Sequence, residues 1–217
     1  MKKKNRTLFY FGAGLLSAFL LWTVLLCFID VRAIGPQKSS VGFAALNEYI
    51  HSLTGVNMPL YVITDWLSLV PIGFAFGFAL LGLFQWIKRK SLLKVDKSIL
   101  TLGGFYAVVM AVYFLFEKVV INYRPTLIDG YLEVSYPSST TMLVMCVMPT
   151  AIMQLCTRVK NKALKLFIIL SISAFIAFMV VGRLISGVHW ITDIIGGALF
   201  SSAVVVIYYA VSFPYNE

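Results

Sequence analysis

Residues 166–213, LFIILSISAFIAFMVVGRLISGVHWITDIIGGALFSSAVVVIYYAVSF, decide how the whole chain is read. Two apolar runs, Leu166–Gly182 and Trp190–Phe213, each come close to the ~20 residues that a helix needs to cross a hydrocarbon core. Where the runs meet stand Arg183 and His189, and Asp193 follows one helical turn into the second run. Ionisable side chains at such positions are costly and usually carry a function. The segment is therefore read as two membrane helices joined by a short, chemically loaded turn.

The same reading extends outward. Of 217 residues, 60% are hydrophobic and only 12% charged, and the mean hydropathy is +0.89, so the chain describes a polytopic membrane protein. Six segments have the required length: Leu8–Ile29, Trp66–Ile87, Ile99–Phe116, Ser138–Cys156, Leu166–Gly182 and Trp190–Phe213. The expected fold is all-α, six transmembrane helices in one bundle, forming a single membrane-embedded domain over residues 1–217. With an even number of spans both termini share one side. Placing them in the cytoplasm puts 13 of the 18 Lys and Arg residues inside and leaves Arg32, Lys38, Lys118, Arg124 and Arg183 outside, which obeys the positive-inside rule. The net charge of +9 thus reflects short basic loops at a membrane face, and nucleic acid is excluded as a partner.

Met1 to Arg6 followed by Leu8–Ile29 resembles a secretory leader, but the apolar stretch is too long and no small-x-small site follows. It is read as a retained first span. Cys27, Cys146 and Cys156 form no CxxC pair and are read as packing residues. Val41–Thr54, interrupted by Asn47, Glu48 and His51, fits a helix lying in the outer interface, with Gly55, Asn57 and Pro59 as breakers after it. Gly73 and Gly77 have the spacing of close helix approach within the chain. Pro71 and Pro149 are expected to kink their spans.

On this topology the outward loops are Asp30–Asp65, Glu117–Pro137 and the turn Arg183–His189. Three cations gather there: Lys118, then Arg124-Pro125, then Arg183. Like charges at one membrane edge repel unless an anion sits among them, and guanidinium forks match phosphate oxygens; taken singly, each cation also fits a side chain snorkelling to the headgroups. Pro137-Ser138-Ser139-Thr140-Thr141 opens the fourth span with hydroxyls and free helix-start amides, a nest for an anion and equally an ordinary N-cap. His189 and Asp193, at i and i+4, share a helix face. A carboxylate so placed can fix the tautomer of the ring and leave the other nitrogen as a nucleophile toward phosphorus.

Together, Lys118…Arg124-Pro125, Pro137-Ser138-Ser139-Thr140 and Arg183-x5-His189-x3-Asp193 resemble the three ordered motifs of the type 2 phosphatidic acid phosphatase superfamily, which includes undecaprenyl diphosphate and phosphatidylglycerophosphate phosphatases. The resemblance implies that Lys118, Arg124, Ser138, the amide of Ser139 and Arg183 bind phosphate. It further implies that His189 is the nucleophile, that Asp193 orients it, and that no metal or other cofactor is needed. Two histidines and scattered acids offer no metal cluster in any case.

Three departures from the family pattern stand out. Five residues instead of six separate Lys118 from Arg124-Pro125, which turns Lys118 by ~100° on a helix. Gly182 replaces a serine, a change expected to be mild. Thr140 stands where the family carries the histidine proposed to protonate the leaving group, and loss of a general acid removes ~10²–10⁴ in rate. A departing lipid monophosphate is a stabilised anion that needs no such proton, so the substitution favours a polyprenyl diphosphate substrate. His51, the other histidine, is a possible substitute acid. The expected function is a multi-pass cell-membrane phosphatase hydrolysing a lipid phosphate or diphosphate at the extracytoplasmic face through a phosphohistidine. A lipid phosphotransferase using the same histidine, and a catalytically impaired lipid-phosphate-binding protein, are the rival readings.

Overall fold

A computed structural model describes residues 3–213. Eight α-helices follow one another: α1 (Lys3–Phe28), α2 (Ala44–Thr54), α3 (Met58–Leu67), α4 (Leu69–Arg89), α5 (Lys97–Lys118), α6 (Ser139–Arg158), α7 (Lys162–Ile185) and α8 (Ile191–Ser212). Six stretches are long and apolar enough to span a membrane, α3 and α4 together forming one of them. The all-helical, six-span expectation holds. Helices α1, α5, α6, α7 and α8 match the expected spans to within a few residues at each end, α8 falling one residue short at both.

The second span departs from expectation, beginning at Met58 instead of Trp66. Asn57 caps it, accepting from the Leu60 amide at 3.0 Å, and Pro59 sits in its first turn, where a missing N–H costs nothing. Residues read as breakers are helix-start signals. The interruption falls instead at Ser68, between α3 and α4. Pro71 accounts for it, because its ring displaces the carbonyl four residues back, that of Leu67, and offers no amide to it. Helix α6, by contrast, continues unbroken through Pro149.

Helices α6 and α8 form the centre: 56% of each span is buried, against at most 17% in the others. Helix α8 packs against α1, α2, α5, α6 and α7. Its core includes Phe19, Leu102, Phe105, Met142, Phe200 and Tyr208. The close-approach role expected of Gly73 and Gly77 is not realised among the described residues, since a Cβ on either would meet none of them within 4 Å. Close approach is made instead at other glycines: Gly42 and Gly187 lie against backbone, and Gly196 and Gly182 against side chains. A Cβ at Gly196 would lie 2.4 Å from Tyr136 Cε2, and one at Gly182 would lie 2.9 Å from Thr64 Cγ2. Gly187, at φ +66°, lies against Gly55 O.

The end of the bundle remote from His189 is tied by polar side chains. Gln85 Nε2 donates to Asp96 Oδ2 at 2.8 Å, and the Asp96 amide donates to Gln85 Oε1 at 2.9 Å. Arg89 joins Asp96 at 2.9 Å and Arg158 approaches it at 3.8 Å. Arg89, with help from Gln85 and Arg158, holds the Asp96 carboxyl below its ordinary range despite partial burial. Gln154 of α6 donates to the Tyr208 hydroxyl of α8 at 2.5 Å. Helices α4, α5, α6 and α8 are thereby fastened at one level.

Candidate active site

The opposite end collects side chains from the 119–138 segment, α3, α6, the 186–190 turn and α8. Tyr136 fixes the segment: its ring packs against Phe19 and Phe116, its hydroxyl bonds Thr23 Oγ1 at 2.7 Å, and Gly196 makes room for it. The Ser138 amide donates to Asp193 O at 3.1 Å. With the chain pressed onto α8 in this way, Ser135 reaches His189 and Asp193.

The sequence expectation of a direct contact between His189 and Asp193 is corrected here, because Nδ1 and Oδ2 stand 3.8 Å apart, beyond hydrogen-bond range. Ser135 Oγ lies between them, 3.0 Å from Nδ1 and 2.5 Å from Oδ2. A hydroxyl has one proton. If Ser135 donates it to the carboxylate, it can only accept from Nδ1–H. The other side of the ring agrees: Arg124 Nη1 is 3.3 Å from Nε2, and a guanidinium can only donate. His189 thus carries its proton on Nδ1 and presents a lone pair on Nε2. Burial, followed by the charges of Arg124 and Arg183, holds the imidazole well below its ordinary 6.5 and keeps it neutral.

Asp193 is fully enclosed and well supplied with donors. Besides Ser135, it accepts from Asn122 Nδ2 at 3.1 Å and from the Trp190 amide at 3.0 Å. The Trp190 bond caps α8 and sets the turn that carries His189; Trp190 Nε1 also reaches Tyr123 O at 2.7 Å. Asn122 and Ser135 escaped sequence reasoning, since neither lies in a periodic element and their roles arise only when the loop folds back on α8.

The two arginines converge on one aromatic ring. The guanidiniums of Arg183 and Arg124 lie 4.7 Å and 5.8 Å from the Tyr61 centroid. Each has one carboxylate: Glu133 Oε2 is 3.0 Å from Arg124 Nε, and Asp65 Oδ1 is 3.4 Å from Arg183 Nη2. Arg183 Nη1 also donates to Tyr61 O at 3.3 Å and Thr64 Oγ1 at 3.2 Å. Gly182 is what admits Thr64, so its change from the family serine belongs to the way α3 covers α7. Arg124 Nε is poorly aligned with Glu133, and both Nε atoms are buried without a hydrogen-bond acceptor. Unsatisfied buried guanidinium donors are what an anion site presents.

Two cavities meet at Arg124, Ser139, Tyr113 and Met142. One, about 390 Å³, is mainly polar and reaches Glu117, Glu133, Ser135 and His189. The other, about 460 Å³, reaches Asp65, Ser68, Thr140 and Arg183, and runs along Ile72, Val109, Met110 and Leu143 of the spans. The fold therefore brings Arg124, Ser139, Arg183, His189 and Asp193 to one locality. It sets the others apart. Lys118, the last residue of α5, is exposed and lines neither cavity. The Ser138 hydroxyl is engaged with the amide and Oγ of Thr141 as the cap of α6. His51 packs edge-on against Trp190 at 5.4 Å, lines neither cavity, and is held below its ordinary value by burial.

A buried imidazole with a prepared lone pair, two arginines and a membrane-level apolar cavity define a helical membrane protein equipped to handle a lipid-borne phosphate. The model of the PAP2 superfamily matches residues 100–217, and the chain belongs to that superfamily. Its fold resembles the crystal structure of a transmembrane PAP2-type phosphatidylglycerolphosphate phosphatase from Bacillus subtilis, with TM-score 0.56 and 18% identity over 93% of this chain and 94% of that one. Comparison with curated protein sequences gives no match.

Proposed function

We propose that the protein is an integral membrane lipid phosphatase whose preferred substrate is a polyprenyl diphosphate. Superfamily membership supports phosphatase activity on a membrane lipid; the substrate, the phosphohistidine and the facing of the site are our reading. The observation that carries it is the His189 tautomer: a neutral ring, Nε2 unprotonated, beside Arg124 at the junction of a polar and an apolar cavity.

The hydrocarbon tail stays among Ile72, Val109, Met110 and Leu143, and the terminal phosphate rests between Arg124, Arg183 and Ser139. Nε2 attacks phosphorus, the bond from phosphorus to the bridging oxygen breaks, and its electron pair leaves on the lipid monophosphate. Positive charge then develops on the ring, and Nδ1–H passes its field through Ser135 to Asp193. Both arginines stabilise the transferring phosphoryl group, a contribution typically of ~10²–10³ for one such donor. Water later releases phosphate from His189. No metal is assigned a part. The distribution of basic residues favours a site open to the extracytoplasmic side.

Thr140 supports the diphosphate assignment. It lines the apolar cavity beside Arg183, where a leaving group would depart, and a threonine hydroxyl gives up no proton near neutral pH. The test is phosphate release from purified protein offered prenyl diphosphates, phosphatidate and phosphatidylglycerophosphate, with His189→Ala and Thr140→His alongside. The diphosphate should be hydrolysed fastest, His189→Ala should abolish turnover, and Thr140→His should raise monoester hydrolysis selectively. Preference of the unaltered protein for a monoester would overturn the substrate assignment.

A further inference from the structure

The apolar-walled cavity contains a carboxylate that neither the sequence motifs nor the mechanism above uses. Asp65, on the last turn of α3, is the single carboxylate lining it among the described residues. Its side chain is 57% exposed and its Oδ1 is held by Arg183 Nη2 at 3.4 Å; Oδ2 makes no hydrogen bond among the described residues, which leaves it free to accept one. The Ser68 hydroxyl and amide both bond Asp65 O, at 2.5 Å and 3.0 Å, which fixes this turn at the break before α4.

Its position relative to His189 gives it meaning. Phosphoryl transfer places the entering and departing atoms roughly in line through phosphorus. His189 lines only the polar cavity, whereas Thr140 and Asp65 line only the apolar one, and Arg124 and Ser139 mark the boundary. With phosphorus at that boundary, the lipid departs toward Thr140 and Asp65. The water that opens the phosphohistidine must then attack from the side the lipid has vacated. Glu117 and Glu133 line the cavity on the histidine side, from which water would meet the P–N bond from behind. Thr140, on the correct side, is no base.

We propose that Asp65 is the general base for the second half-reaction, accepting a proton from the water that hydrolyses phosphohistidine 189. This rests on the phosphohistidine reading above and extends it. Water oxygen forms a bond to phosphorus while the bond from phosphorus to Nε2 breaks; the electron pair returns to Nε2, the water proton passes to Asp65, and inorganic phosphate leaves. Arg183 holds the carboxylate at the cavity wall, which gives the α3–α7 contact a catalytic purpose.

The experiment uses full-length protein and farnesyl diphosphate carrying label on its terminal phosphate, with alkaline denaturing quench to preserve phosphohistidine. In single-turnover reactions Asp65→Asn should form the phosphoenzyme at close to the wild-type rate and lose it ~10²–10⁴-fold more slowly, the range for removal of a general base. Formation itself reports that the variant is folded. Added formate should accelerate breakdown in Asp65→Ala, which has space for it, and not in the wild type. Breakdown in Asp65→Asn within threefold of wild type would overturn the proposal. So would a phosphoenzyme that fails to form, which would make Asp65 a holder of Arg183 only. If the wild-type protein itself yields no phosphohistidine at 189, the reading beneath it fails as well, and that outcome is distinct from the other two.

Discussion

Replacing Ser135 by alanine removes one oxygen atom and tests the relay on which the reactivity of His189 depends. That oxygen makes a 2.5 Å bond to a fully buried carboxylate and a 3.0 Å contact to Nδ1. A hydrogen bond to a charged partner contributes ~1.5–3 kcal/mol. Asp193 keeps Asn122 and the Trp190 amide, so the fold should survive. The loss should fall where the ring becomes positive, in the attack on phosphorus. At about 1.4 kcal/mol per decade, phosphoenzyme formation should slow ~10- to 100-fold, with little change in KM. Rapid-quench measurement of labelled phosphohistidine gives the rate, and a double-mutant cycle with Asp193→Asn gives the coupling. Acting through Ser135, Asp193 should confer nothing once the hydroxyl is gone, so the double variant should be no slower than Ser135→Ala. A Ser135→Ala rate within twofold of wild type, or losses that multiply fully in the double variant, would refute the bridged relay.

Other outcomes follow from the same geometry. Because His189 is neutral in the fold and its value is depressed from 6.5, the unfolded chain binds the extra proton first as pH falls. Stability from this group is present above pH 6.5 and declines below it toward the folded-state value; in detergent, His189→Gln should flatten the fall in Tm between pH 6.5 and 5. The acidic limb of kcat/KM should correspondingly lie below the usual histidine range. Gly196→Ala drives a Cβ to 2.4 Å from Tyr136 Cε2, overpacking that costs ~1–3 kcal/mol, and should lower both Tm and activity by loosening the loop that carries Ser135. Lys118→Ala, at an exposed position apart from both cavities, should change kcat/KM by no more than ~2-fold, whereas Arg124→Ala should lose ~10²-fold or more. Comparable losses at the two positions would return Lys118 to the phosphate site.

The spans were legible because hydropathy is written residue by residue, and the arginines, the histidine and the aspartate because such groups are conspicuous against apolar neighbours. The start of the second span was obscured by Asn57 and Pro59, which signal helix beginnings as readily as breaks. Ser135, Asn122 and Asp65 were not legible. A polar residue in a loop, or at the edge of an apolar run, has no distinguishing pattern until tertiary folding sets it beside a partner tens of residues away. The spacing between His189 and Asp193 located both correctly on one face and still misjudged their contact, since a third residue from another segment takes the place between them. Gly73 and Gly77 show the converse: a spacing suited to close packing, on a face that meets nothing among the described residues.

The fastening of α4 to α5 through Gln85 and Asp96 has a mechanical corollary. Roughly 25 Å of α5 separates Asp96 from Tyr113, at about 1.5 Å per residue, with the anchor at the far end of that arm. Tilting the arm by ~5° about its anchor moves the tip by ~2 Å, on the order of half an acyl chain's width. Ile72 of α4 and Val109 and Met110 of α5 line the apolar cavity between these helices, so a tilt of that size widens the cavity wall only as far as the Tyr106–Thr150 bond between α5 and α6 yields.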